Sequence, residues 1–193
     1  VSHAAITDVS AAGPWTVGPV TLYAYDSTGT TQGGGLINLT QANNFGAIDL
    51  KGSTVTVTAA GAITDGSVGW TTTGTTTLNT TSNVITLDNT ANVLGPIAIA
   101  GTPTGVTITE NDDITQASAW VYPTIPFTLN AQTHNVLLTQ TSNQLGDLIV
   151  TGANASVVEA HAITDAGAWT VSGLTTLTAG SNAITLDTAT GNF

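Results

Sequence analysis

Hydrophobic and hydroxyl residues trade places along most of this chain. Val55 and Val57 alternate with Thr54, Thr56 and Thr58, and Ile85 and Leu87 alternate with Thr86 and Asp88. Alternation with a period of two puts aliphatic side chains on one face of a strand and hydroxyls on the other. The apolar runs are three to five residues long, punctuated by Gly, Asn or Asp, and no long stretch has helical spacing. Strands this short bury little in a small sheet. Wound into a solenoid, each pairs with its equivalents above and below, so the pattern predicts an all-β chain of stacked coils.

Internal repetition reinforces that expectation. The phrase "AITD" occurs three times, with Ile at Ile6, Ile63 and Ile163, and "DITQ" around Ile114 fills the gap. Each copy is followed by a tryptophan: Trp15, Trp70, Trp120 and Trp169, in steps of 55, 50 and 49 residues. Then come "LINL", "VITL", "NVLL" and "AITL", followed by Phe45, Leu94, Leu145 or Phe193. In the first three copies a glycine comes next, Gly46, Gly95 or Gly146, and then "AIDLKG", "PIAIAG" and "DLIVTG". The expected organisation is a single solenoid over 1–193, with repeats at 6–62, 63–113, 114–162 and a truncated 163–193. A period near 50 would hold two or three coils of about 20 residues, giving roughly eight to eleven coils. Asn44, Asn92 and Asn143 fit corners that need left-handed backbone and stack in ladders.

The phrases "LTTLTAGSNAITLDTATGNF" and "GTTTLNTTSNVITLDNTANVLG" (74–95) resemble the β-strand repeats of bacterial filamentous-haemagglutinin-type exoproteins and large autotransporter-like adhesins. The likeness covers nearly the whole chain, apart from the inserts "YAYDSTGTTQGGG" and "VYPTIPF". It implies a right-handed parallel β-helix in a secreted, cell-surface or fibrillar structural protein. It supplies no catalytic residues to transfer.

Composition narrows the function classes. Charged residues make up 7% of the chain, Lys51 is the sole Lys or Arg, and the formal net charge is −11. Such a surface repels phosphate backbones and anionic membranes, so nucleic-acid binding and membrane insertion are not expected. Thr contributes 40 residues. There is no cysteine, which excludes disulfides and thiolate sites, and no methionine. No apolar run is long enough for a transmembrane helix. The opening residues show no signal-peptide pattern, so the sequence reads as a mature or excised segment. Val1 falls in the phase of Val158, and neither end carries a capping element. That suggests either an ordered part of a longer array or copies that stack end to end.

Candidate chemistry is sparse. Asp8, Asp65 and Asp165, with Gln116 in the third copy, recur in one phase; they suit either a calcium ladder or turn caps accepting backbone N–H bonds. "ENDD" packs Glu110, Asp112 and Asp113 together, a candidate metal site (calcium), a candidate acid pair, or a solvated turn. His3, His134 and His161 are scattered and read as corner residues rather than ligands. No serine has a nucleophile-elbow setting. With one lysine and no arginine, little can neutralise developing negative charge, so catalysis is not expected.

Trp15, Trp70, Trp120 and Trp169 support two readings. They are a row of sugar-stacking platforms for cell-surface glycans, or core fillers whose indole N–H bonds a turn carbonyl. Tyr23, Tyr25 and Tyr122 lie on or near the inserts as exposed contacts. The dense threonines Thr71 to Thr77 suggest an ice-binding face, but "VYPTIPFTL" breaks the row. Asn38, Asn79 and Asn154 stand in N-glycosylation sequons. The expected function is an extracellular scaffold, filament subunit or adhesin stalk that pairs with itself. The alternatives are a carbohydrate-binding module or a β-helical polysaccharide-cleaving enzyme with a carboxylate cleft around Asp112 and Asp113.

Overall fold

The computed structural model describes residues 5–8 and 13–188. Val1, His3 and Phe193, which carried sequence expectations, lie outside the described residues. Among those described there is no helix, and every pairing between named strands is parallel. The chain is a β-solenoid of about seven turns, each of about 21 residues. That is fewer turns than the eight to eleven expected, and the stacking unit is shorter than the 50-residue sequence repeat.

Three stacks carry most of the structure. One runs through Ala5–Thr7, Leu36–Phe45, Val55–Ala59, Thr76–Thr81 and Ile97–Thr102. A second includes Ile63–Thr72, Val84–Leu87, Gly105–Thr109, Phe127–Asn130 and Leu148–Gly152. The third runs through Ile114–Thr115, Asn135–Leu138, Asn154–Val158 and Thr175–Thr178. Register is strict where the chain is most regular. Val55, Thr76 and Ile97 are mutual partners at steps of 21, and so are Ile85, Val106, Phe127 and Leu148.

A repeat of about 49 residues is therefore seven thirds of a turn. Each repeat starts one face further round than its predecessor, and equivalent phrases never lie on each other. Instead, different phrases of one repeat stack. Ile6 pairs with Ile37, Ile63 with Ile85, Ile114 with Val136 and Ile163 with Ile184. The "ITD" phrase of every repeat lies beside that repeat's own "ITL" phrase, one turn away.

The core follows from the alternation. Leu39, Val57, Leu78 and Ile99 form one inward column, and Leu87, Ile108, Leu129 and Val150 another, all buried. Each fully buried aliphatic of this kind contributes about 1.5–3 kcal/mol. Between them the hydroxyls face out: Thr64, Thr86, Thr107 and Thr128 make a ladder one turn apart. Thr72 and Thr76 also sit inside, and their hydroxyls bond each other at 2.7 Å. The first insert leaves the coil as a small hairpin, with Tyr25 bridging Gln32 in antiparallel fashion.

Candidate functional site

In the first three repeats the turn corner after the "ITL" phrase is closed by a buried asparagine: Asn43, Asn92 and Asn143. In the first repeat this is Asn43 rather than Asn44, which is exposed. Parity decides it, because Asn43 shares the inward side with Phe45. The asparagine ties three segments together. Its Oδ1 accepts the backbone N–H of the repeat's tryptophan, at 2.6 Å for Trp15, 2.7 Å for Trp70 and 3.0 Å for Trp120. Its Nδ2 donates to the "ITD" side chain: Asp8 at 2.7 Å, Asp65 at 2.6 Å, and Gln116 at 2.9 Å. The same Nδ2 reaches the carbonyl of Thr58, Thr109 or Val158 on the next turn.

The recurrent aspartates are turn caps. Asp8 accepts the Thr40 and Gln41 N–H groups, Asp65 those of Asp88 and Asn89, and Asp165 those of Asp187 and Thr188. Burial works against the charge of Asp8, but the Asn43 amide and the Gln41 and Thr40 donors hold its carboxyl below the ordinary range. At Asp65 burial wins and the carboxyl is raised, with Asn92 and the N–H donors pulling the other way. Each caps a corner of its own repeat, and because equivalent phrases never lie on each other the three carboxylates do not stack into a row.

The tryptophans are structural. Trp70, Trp120 and Trp169 are fully buried, so they offer no ring face to a sugar. Each indole N–H donates to the first strand residue after the previous repeat's glycine: Trp70 to Ile48 at 2.6 Å, Trp120 to Ile97 at 3.2 Å, and Trp169 to Leu148 at 2.9 Å. The row of glycan platforms is thus corrected to a row of bolts between repeats. Trp15 is half-buried and packs edge-on against Phe45 at 6.4 Å.

The "ENDD" residues separate. Glu110 points inward in step with Val106 and Ile108 and is fully buried. Its Oε2 accepts the Leu94 N–H at 3.1 Å, while Oε1 has no partner. Glu159, at the same phase one repeat later, does the same with Leu145 at 3.1 Å, again with Oε1 unpartnered. In the first repeat the position is Ala59. Burial pushes Glu110 up to about 9 and Glu159 to about 7. Sequence reading missed this pair, although the period-two parity that places Val157 inside also places Glu159 there.

Asp112 and Asp113 stay outside and gain His134 in place of Glu110. One ligand atom of each lies within 4.8 Å of the others. Two carboxylates and an imidazole form a donor set a divalent cation can use. Asp113 is already engaged, accepting the Asn135 N–H and Nδ2 at 2.8 Å each. His134 stands 21 residues after Asp113, one turn, so only the coil length brings it in. The acid pair envisaged for cleavage lies on an outward corner, with Asp112 exposed.

The sequon asparagines differ. Asn38 and Asn79 are half-buried on strands with outward parity. Asn154 belongs to a polar ladder, donating to Asn135 at 2.8 Å and accepting the Leu174 N–H at 2.8 Å. Tyr122 is half-buried and donates to the Ile99 carbonyl at 3.0 Å. Tyr23 lies under the Lys51 ammonium at 5.7 Å.

Comparison with known families matches the chain to Repeats of unknown function (DUF5649), at residues 44–100, 93–152 and 144–193. The chain belongs to this family. Each matched stretch begins on the residue after a buried asparagine: Asn43, Asn92 or Asn143. Neither the curated proteins nor the solved structures yielded a match.

Proposed function

We propose that this run of DUF5649 repeats is an extracellular structural element, a filament or sheath subunit or an adhesin stalk, that associates with its own kind through stacked strands. The observation that carries the reading is the indole bond from each repeat into the one before it, at Ile48, Ile97 and Leu148. Such bolts make neighbouring repeats one body, and a stack of repeats is stiff because every unit is held by its neighbours.

The seven-thirds relation adds a second support. One repeat advances the axis by about 11 Å, at about 4.8 Å per turn, and turns it by about a third of a revolution. Equivalent surfaces therefore face three ways around the rod, which suits lateral packing on every side. A net charge of −11 with a single lysine limits non-specific sticking. The likeness to filamentous-haemagglutinin-type exoproteins agrees with a place outside the cell.

Electron microscopy of the native material, paired with fibre diffraction, tests the proposal. Rods or fibres with a reflection near 4.8 Å along the axis are expected. Discrete particles that stay monomeric at high concentration would remove the self-association.

A further inference from the structure

The inward glutamate of the third repeat is a polar group placed where the fold offers it too little. Glu159 is 3% exposed and alternates with Ala155 and Val157 on the core side. Its Oε2 substitutes for a strand carbonyl by accepting the Leu145 N–H, and its Oε1 meets no donor. No cation is at hand: the sole Lys or Arg is Lys51, over the Tyr23 ring in the first repeat. The ionisable side chains on the neighbouring elements are Asp147, on the segment below, His161, on its own corner, and Tyr122, whose strand pairs with Leu145. Asp147 and His161 are exposed, Tyr122 is half-buried with its hydroxyl on the Ile99 carbonyl, and the Thr175–Thr178 segment above carries none.

A protonated carboxyl tolerates such a place, whereas a carboxylate does not. One backbone N–H offsets a small part of the cost of burying a charge. Relief comes when the 159–162 corner swings toward water. The Leu145 N–H then loses its acceptor. Leu145 and Gly146, with Asp147 and His161, form one wall of a groove of about 380 Å3, whose other wall is the insert loop from Pro123 to Pro126.

We propose that Glu159 is a pH sensor built into the rod: loss of its proton releases the Leu145 N–H, while the Asn143, Gln144 and Gly146 bonds to neighbouring turns persist, and reshapes the Leu145–His161 wall of the groove beneath the Pro123–Pro126 loop. Burial raises the carboxyl to about 7, which sets the transition near neutrality. The groove is in its closed form in mild acid and its loosened form in mild alkali.

Amide and carboxyl NMR of the whole labelled chain between pH 5.5 and 8.5 tests this. The Glu159 carboxyl carbon and the Leu145 amide are expected to titrate together near pH 7. Leu145 exchange, corrected for intrinsic rates, is expected to speed up by at least about tenfold across that range, equivalent to one pKa unit. Glu159→Gln should abolish the amide response, and His161→Asn should leave it intact. A Leu145 amide that stays flat in the folded chain would overturn the proposal. So would a response that survives Glu159→Gln or vanishes in His161→Asn. If Glu159→Gln does not fold, the native carboxyl decides alone, since titration near the ordinary glutamate value of about 4.3 rules the sensor out.

Discussion

Asn92 reaches across one turn of the solenoid to Asp65, Nδ2 to Oδ2 at 2.6 Å, and the same side chain receives the Trp70 N–H at 2.7 Å. The amide is fully buried and joins an "ITD" cap, a tryptophan and the next turn's Thr109 carbonyl. Removing it leaves buried donors and acceptors unmatched, at about 1–3 kcal/mol for each group. Asn92→Ala is expected to lower stability by about 2–4 kcal/mol in urea titration. Asn92→Asp is the sharper variant. It sets a second carboxyl against Asp65, so its loss should be larger at pH 7 than at pH 4, where a shared proton relieves the repulsion.

Glu110 predicts the direction of the alkaline response. Its carboxyl is raised by burial to about 9, and the charges of Asp112 and Asp113 push the same way against the Leu94 N–H. A raised folded-state value means the neutral form favours the fold. That stability is complete below the ordinary glutamate range and is lost as pH climbs toward 9. Melting temperatures measured from pH 5 to 9 should therefore fall with pH, and Glu110→Gln should flatten the decline. A chain whose melting point rises steadily over this window would contradict the inward placement.

The buried indoles predict an optical signature. Trp70, Trp120 and Trp169 should emit at short wavelength and resist acrylamide, with Trp15 the accessible member. Soluble glycans should leave the three buried rings unchanged; saturable quenching of them by a sugar would restore the platform reading. Trp120 also stacks on Phe127 at 5.6 Å, with an interplanar angle of 12°. Trp120→Phe keeps an aromatic there but drops the bond to Ile97, for an expected loss of about 1–2 kcal/mol. Trp120→Ala should cost about 3–5 kcal/mol.

What the sequence made legible was whatever alternates or recurs. Val55 to Thr58 announce a strand with one dry face, and the "ITD", "ITL" and tryptophan phrases announce a repeat. A coil of about 20 residues was expected from typical solenoids, but which phrases stack was hidden because the repeat is seven thirds of a turn. Ile163 stacks on Ile184 and Leu148 on Phe127, pairs drawn from different phrases, so no phrase-to-phrase comparison reveals a step of 21. His134 was unreadable for the same reason. Glu110 and Glu159 were legible in principle: a carboxyl in step with two aliphatics belongs inside, but the neighbouring Asp112 and Asp113 made "ENDD" look like surface. The choice between Asn43 and Asn44 turned on a single residue of parity.

The recurrent glycines give the last test. Gly46, Gly95 and Gly146 follow the large apolar residue of each repeat, and the reason is space rather than a left-handed backbone, since none of the three has a positive φ. A Cβ on Gly95 would run into the carbonyl oxygen of Gly74, and one on Gly146 into that of Ile125. Those obstacles are backbone of the adjacent turn rather than the far end of a flexible side chain, so making room for a Cβ is costly. Gly105 differs: its nearest neighbours to a built Cβ are Pro126 and Val84 atoms at 3.7–3.9 Å, which is ordinary contact. Gly95→Ala is expected to cost about 1–3 kcal/mol through overpacking, while Gly105→Ala should stay within about 0.5 kcal/mol of the parent. Urea midpoints of the two variants, measured side by side, check the spacing between turns at one chosen point. Equal midpoints would mean that the corner after Leu94 is looser than the close approach of Gly95 to Gly74 requires.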